Sequence, residues 1–227
     1  MKTQICVAIP PKTVDEAIIF ILNAEEEHAD LIEVRLDSLQ NHNNIADIAH
    51  CTRTPLIATN KPTMFGGNYH GNENECQKIL VNAAKNGFTY IDVDLGTQNQ
   101  TELINKLHEN EAKVIISFHD HKKTPTISEL DRILEEEAAA GADICKIVTT
   151  ANNLKDNLTV LDFVAENSKK HEIVCFAMGE HGKISRLLSP VFGAFFTFAS
   201  LDEKRKTAKG QLTIKQMRSV YEALELK

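Results

Sequence analysis

The sequence predicts an α/β protein folded as a (β/α)8 barrel, the TIM-barrel architecture, in a single domain over residues 1–227. Three observations carry that expectation. Eight short runs rich in β-branched residues recur, at 5–9, 31–36, 56–59, 90–95, 114–118, 144–149, 173–177 and 195–199. Helical patterns fill the gaps, and strict alternation makes the strands parallel, because each crossover must return the chain to the same end of the sheet. The chain has no linker rich in Pro, Gly or Ser, no composition break and no internal repeat, and 227 residues suit eight such units. A doubly wound open sheet is the alternative. No GxGxxG follows the first run, which weakens the dinucleotide-binding form of that fold.

Each element has a local signal. The first run, ICVAI, is stopped by Pro10 and Pro11. Thr13 and Glu16 read as a capping box, followed by Ala17, Ile18, Ile21 and Leu22 on one helical face. A short helix at 45–51 follows the second run, and a helix at 75–86, stopped by Gly87, follows the third. The fourth run leads to an amphipathic helix at 101–110. The fifth leads to a helix at 128–140, with Leu130, Ile133 and Leu134 aligned and Gly141 as its stop. Helices at 154–170 and 184–192 follow the sixth and seventh runs. The last helix, 213–226, opens with a second capping box, Thr213 and Gln216.

Composition narrows the function. Apolar residues make up 42% and charged residues 25%, as in ordinary soluble globular proteins. The net charge of −7 argues against a nucleic-acid partner, which needs a basic surface. Five cysteines, Cys6, Cys51, Cys76, Cys145 and Cys175, form no CxxC pair and read as buried thiols of a reducing cytosol, not as a disulfide framework or a zinc site. No stretch approaches the roughly 18 apolar residues of a membrane span. The expectation is a cytoplasmic protein with no membrane partner and no metal.

A barrel of this kind puts its chemistry at the carboxyl ends of the strands. Lys146 is the strongest candidate there. It lies in GADICKIVTT with Ile144 and Val148 on its own face and Cys145 and Ile147 on the other, so neither face is polar. A lysine pointing inward is desolvated, and a desolvated amine with a lowered pKa is a nucleophile toward carbonyls; a lysine snorkelling outward is the ordinary alternative. His119 closes the fifth run, where a proton carrier belongs, whereas His121, between Asp120 and Lys122, reads as a solvated loop residue.

Glu33 and Arg35 share one face of the second strand, as a structural ion pair or as a grip on a ligand carboxylate. Lys61 and the Gly66–Gly67 pair follow the third strand, as a solvated loop or a ligand contact. Asp92 and Asp94 alternate on the fourth strand and need partners if buried. Arg186 opens a short helix, as an anion site or a surface arginine. The loop LDEKRKTAKGQLT reads as a solvated charge run or as a lid bringing Thr207 and Gln211.

Taken together, these segments resemble the type I 3-dehydroquinate dehydratases, the Schiff-base enzymes of the shikimate pathway of aromatic amino-acid biosynthesis. The matching stretches are EVRLD at 33–37, GG at 66–67, YIDVDL at 90–95, SFHDHKKTP at 117–125, GADICKI at 141–147, ISRLLSPVFG at 184–193 and TAKGQ at 207–211. The resemblance implies a (β/α)8 barrel and a homodimer. It implies that Lys146 forms an imine with 3-dehydroquinate and that His119 is the general base, with no cofactor. It also implies that Asp94 stands for a glutamate orienting the histidine. Glu33 and Arg35 would bind ring hydroxyls, Lys61 would stand where the family often has arginine, Arg186 would clamp the substrate carboxylate, and Thr207 and Gln211 would belong to the closing loop. The chain departs from the pattern at Lys61, at Phe65 in place of an acid, at Asp94 and at Lys209 in place of proline. Another Schiff-base barrel such as an aldolase, or a non-enzymatic binding barrel, are the alternatives.

Overall fold

The computed structural model describes residues 3–226. Eight strands, β1 (Ile5–Ile9), β2 (Leu31–Arg35), β3 (Leu56–Thr59), β4 (Tyr90–Asp94), β5 (Lys113–His119), β6 (Ile144–Thr150), β7 (Ile173–Met178) and β8 (Thr197–Ser200), form one parallel sheet in the order β7-β6-β5-β4-β3-β2-β1-β8. The sheet curls until its ends meet. Between them, the Phe195 amide donates to the Ile173 carbonyl at 2.8 Å. The expected barrel, with its inward and outward alternation, is present.

Eight helices cover the outside: α1 (Val14–Glu26), α2 (Ile45–His50), α3 (Glu73–Lys85), α4 (Gln100–Glu109), α5 (Ile127–Ala139), α6 (Asp156–Asn167), α7 (Lys183–Leu188) and α8 (Ile214–Ala223). Their boundaries follow their caps. Thr126 and Glu129 form a reciprocal capping box that starts α5 at Ile127. Thr213 and Gln216 do the same for α8. At α1 only half the expected box exists: Thr13 accepts from the Glu16 amide, but the Glu16 carboxylate turns to the Lys12 amide. The helix expected over 184–192 is α7 followed by a 3-10 turn at Ser189–Phe192, where Pro190 supplies no N–H for a continuing α-helix.

Alternation along the strands sorts two cores. Ile5, Val7, Ile9, Ile32 and Val34 face the helices. Cys6, Ala8, Ile57, Ile115, Val174 and Phe198 fill the barrel interior. The register sets polar residues at matching heights: Thr59 pairs with Asp92, Asp94 with Ser117, and Ser117 with Lys146. All five cysteines are free thiols, four of them buried. Among the described residues, no helix is long and apolar enough to cross a membrane.

Candidate active site

A pocket opens at the carboxyl ends of the strands. Lys146 and His119 both line it. Lys146 is only 5% exposed, so the inward reading holds. Its Nζ donates to Asp92 Oδ2 at 2.7 Å, lies 3.5 Å from Glu33 Oε1 and sits 4.5 Å above the Phe198 ring. The lowered pKa expected from burial is corrected here. Desolvation does push the ammonium down, but Asp92 and Glu33 push it up, and the result lies above the ordinary lysine value. Asp92 answers in kind: burial raises its pKa, Lys146 and Lys61 lower it, and the net direction is down. The second oxygen of Asp92 accepts from Ser117 Oγ at 2.8 Å. Glu33 accepts from Thr59 Oγ1 at 2.8 Å. Both acids are therefore held as partners of the amine.

His119 ends β5. Its Nδ1 lies 3.0 Å from Lys61 Nζ, and Lys61 Nζ lies 3.1 Å from Asp94 Oδ2 and 3.4 Å from Ser117 Oγ. Asp94, which the resemblance implies orients the histidine, lies against Lys61. Its carboxylate is turned to Lys61 and to the Gly96 amide, and Lys61 occupies the imidazole nitrogen. Burial raises the Asp94 pKa against the opposing pull of Lys61. Burial also drives the His119 pKa well below the usual imidazole value, and Lys61, Lys146, His121 and Arg35 add to that. His121, assigned from sequence to solvent, is exposed but lines the same pocket, with its ring nearly parallel to that of His119 and 5.9 Å away.

Arg35 is held by a fork. Its Nε and Nη2 donate to the two oxygens of Asp37 at 2.7 and 2.6 Å. Burial works against that charge, yet Asp37 keeps it firmly ionised. Arg186 is the opposite case. It is 1% exposed, its guanidinium lies 4.2 Å above the Phe176 ring, and its Nε and Nη2 have no hydrogen-bond partner among the described residues. Burial alone lowers its pKa to about 9. A buried cation without a counter-ion is costly, so the geometry is that of an anion site.

The 201–213 loop closes over this pocket. Thr207 and Gln211 line it, and the Thr207 amide donates to Gln211 Oε1 at 2.8 Å. Gly210 makes the closure possible. At φ +76° its backbone passes so near Gly179 that a Cβ would stand 2.1 Å from the Gly179 carbonyl oxygen. Among the described residues no cluster of His, Cys, Asp and Glu has the arrangement of a metal site.

The sequence-selected residues thus share one pocket, except Asp94, whose carboxylate lies against Lys61. Asp92, Ser117, Asp37 and His121 were not selected. Their periodicity put Asp92 and Ser117 inward, but their partners come from other strands. The arrangement presents an ammonium held by two acids, a neutral imidazole lining the same pocket, and an open cation facing the same space.

Known proteins match the chain along its length. The family profile described as Type I 3-dehydroquinase matches residues 5–227. A 3-dehydroquinate dehydratase of Dehalococcoides mccartyi is 36% identical over 200 residues, covering 88% of each chain. A 3-dehydroquinate dehydratase of Methanococcus vannielii is 34% identical over 224 residues, covering 98% of this chain and 100% of the relative. Among solved structures, a type I 3-dehydroquinate dehydratase from Clostridium difficile, carrying covalently modified comenic acid, superposes with a TM-score of 0.87 at 29% identity, over 98% of this chain and 92% of that one.

Proposed function

The chain belongs to the type I 3-dehydroquinase family, and from that premise we propose that it dehydrates 3-dehydroquinate to 3-dehydroshikimate through an imine on Lys146. The reaction serves the shikimate pathway. Lys146 releases one ammonium proton to solvent and adds as the free amine to the C3 ketone, and loss of water from the adduct leaves an iminium ion. The iminium draws electrons from C2, where His119 removes a proton. His119 then delivers that proton to the C1 hydroxyl, which departs as water. Hydrolysis of the imine frees the product and restores the amine.

The electrostatics favour this sequence at its charged intermediate. The positive charge on Nζ is the same in the ammonium and the iminium, so Asp92 at 2.7 Å and Glu33 at 3.5 Å serve both. Arg186 receives the substrate carboxylate, Arg35 faces the ring hydroxyls from its Asp37 fork, and Thr207 and Gln211 close above. Lys61 and Asp94 complete the His119 side. The observation that carries the reading is the buried Lys146 in one pocket with His119 and the unpaired Arg186. The same reading includes no cofactor, a homodimer and a cytoplasmic location, the assembly being measurable by light scattering.

Borohydride reduction in the presence of 3-dehydroquinate, followed by intact-mass and peptide analysis, tests it. The expected result is one ligand-sized mass increase at Lys146, absent in Lys146→Ala. Full dehydratase activity in Lys146→Ala overturns it.

A further inference from the structure

His119 has to change roles during such a reaction, and the contacts around Lys61 determine the state from which it starts. An ammonium group has three N–H donors and accepts nothing. Three groups surround Lys61 Nζ: His119 Nδ1 at 3.0 Å, Asp94 Oδ2 at 3.1 Å and Ser117 Oγ at 3.4 Å. Ser117 has already given its hydroxyl hydrogen to Asp92 Oδ1, so it offers Lys61 a lone pair. Asp94 offers a carboxylate oxygen. The donor count then closes only if Nδ1 of His119 is also an acceptor. A neutral imidazole carries one N–H, which leaves it on Nε2.

We propose that Lys61, anchored by Asp94, is a positioning residue that holds resting His119 as the Nε2–H tautomer, so that the ring enters the reaction as a proton donor and is turned into a base by its own first donation. The ring is kept neutral for this by its burial first, and then by what faces it: Lys61 just after β3, Lys146 from β6, Arg35 from β2 and His121 from its own loop. Asp94 and Asp92, the acids on β4, are occupied by Lys61 and Lys146.

The proton balance follows. As the hydroxyl of the Lys146 adduct leaves as water, the proton it needs comes from Nε2, and Lys61 passes one proton from Nζ to Nδ1. Lys61 is then a neutral amine accepting from Nδ1–H, and Nε2 has a free lone pair. That is the tautomer a base at C2 requires. When water later attacks the imine, Nε2 takes a proton from it and Nδ1 returns one to Lys61, and the freed Lys146 amine regains its proton from solvent, restoring the starting state. In this chain the imidazole Nδ1 is met by a lysine. The chemistry of the cycle rests on the dehydratase reading, whereas the resting tautomer rests on geometry alone.

The test is 15N NMR of protein labelled at histidine, ligand-free at pH 8, with the His119 signals assigned by their loss in His119→Gln. Wild type is expected to show an unprotonated Nδ1 and a protonated Nε2. Lys61→Met should lose that fixed pattern, and Lys61→Arg, which keeps donors, should retain it. With 3-dehydroquinate, Lys61→Met should lose about 100-fold in kcat with KM changed by less than about 3-fold. A protonated Nδ1 in wild type, an unchanged pattern in Lys61→Met, or a loss confined to KM overturns the proposal. The wild-type spectrum decides the tautomer even if Lys61→Met does not fold. Should wild type fail to turn over 3-dehydroquinate, the dehydratase reading falls while the spectrum still judges Lys61.

Discussion

The Arg186 guanidinium lies 4.2 Å above the centre of the Phe176 ring, with Nε and Nη2 left without hydrogen-bond partners among the described residues. The ring face gives some compensation, but a desolvated cation without an anion still weakens the empty protein. Arg186→Leu should therefore stabilise the ligand-free protein by about 1–3 kcal/mol, read from the urea midpoint. The same change should raise KM for 3-dehydroquinate by about 100-fold, because the charge awaits a carboxylate. A variant both less stable and unchanged in KM would show that Arg186 is a packing residue.

Lys146 and Asp92 form a pair in which each partner needs the other. Asp92→Asn removes the closer counter-charge and leaves a buried ammonium with Glu33 alone, at 3.5 Å. Breaking a buried pair in this way should cost about 3 kcal/mol of stability at pH 7. The folded Asp92 pKa is depressed, so its contribution is present above the ordinary aspartate range and lost as pH falls through the lower folded value. The gap between wild type and Asp92→Asn should accordingly narrow in acid. Urea titrations at pH 7 and pH 3 measure it.

The acid limb of activity belongs to His119. Its folded pKa is depressed, so the neutral ring persists below the usual imidazole value of about 6.5. The limb that belongs to His119 should therefore lie below pH 6.5, on top of the slope set by deprotonation of the Lys146 ammonium, whose own pKa is raised. Lys61→Met removes one of the charges that lower the pKa and should move that limb upward. Stability has the same sign: the neutral buried imidazole contributes above the unfolded pKa, and the contribution is lost as pH falls through the folded one. A limb centred at 6.5 and indifferent to Lys61 would show that the ring is solvated.

The strands were legible because period-two alternation is local, and helix ends such as the one before Gly141 because a stop residue is local. Lys146 was legible for the same reason: with Ile144 and Val148 beside it and Cys145 and Ile147 opposite, it had no polar face to occupy. Its pKa direction was not. The partner that sets it, Asp92, lies 54 residues away and arrives only when β4, β5 and β6 close side by side. The role of Asp94 came from the resemblance alone, and its carboxylate lies against Lys61, which follows β3 and meets the imidazole. His121 looked solvated because its sequence neighbours are charged, and it is exposed, yet the turn after β5 brings its ring alongside that of His119.

Glu137, on the inner side of α5, is fully buried and has no part in the pocket. Burial pushes its carboxyl pKa well up, the Asp92 charge adds to that, and the backbone amide of Lys146 pulls the other way without prevailing. A carboxyl whose folded pKa is raised stabilises fully below its unfolded value, near 4.3. That contribution is lost as pH rises through the folded value, because the unfolded chain ionises freely and the folded one resists. Glu137→Gln keeps the shape and removes the ionisation. It should match wild type near pH 4 and exceed it at pH 8 by on the order of 1–3 kcal/mol, with dehydratase kinetics unaltered. Urea midpoints at the two pH values measure the difference. An equal effect at both would mean that Glu137 acts through packing rather than through its proton.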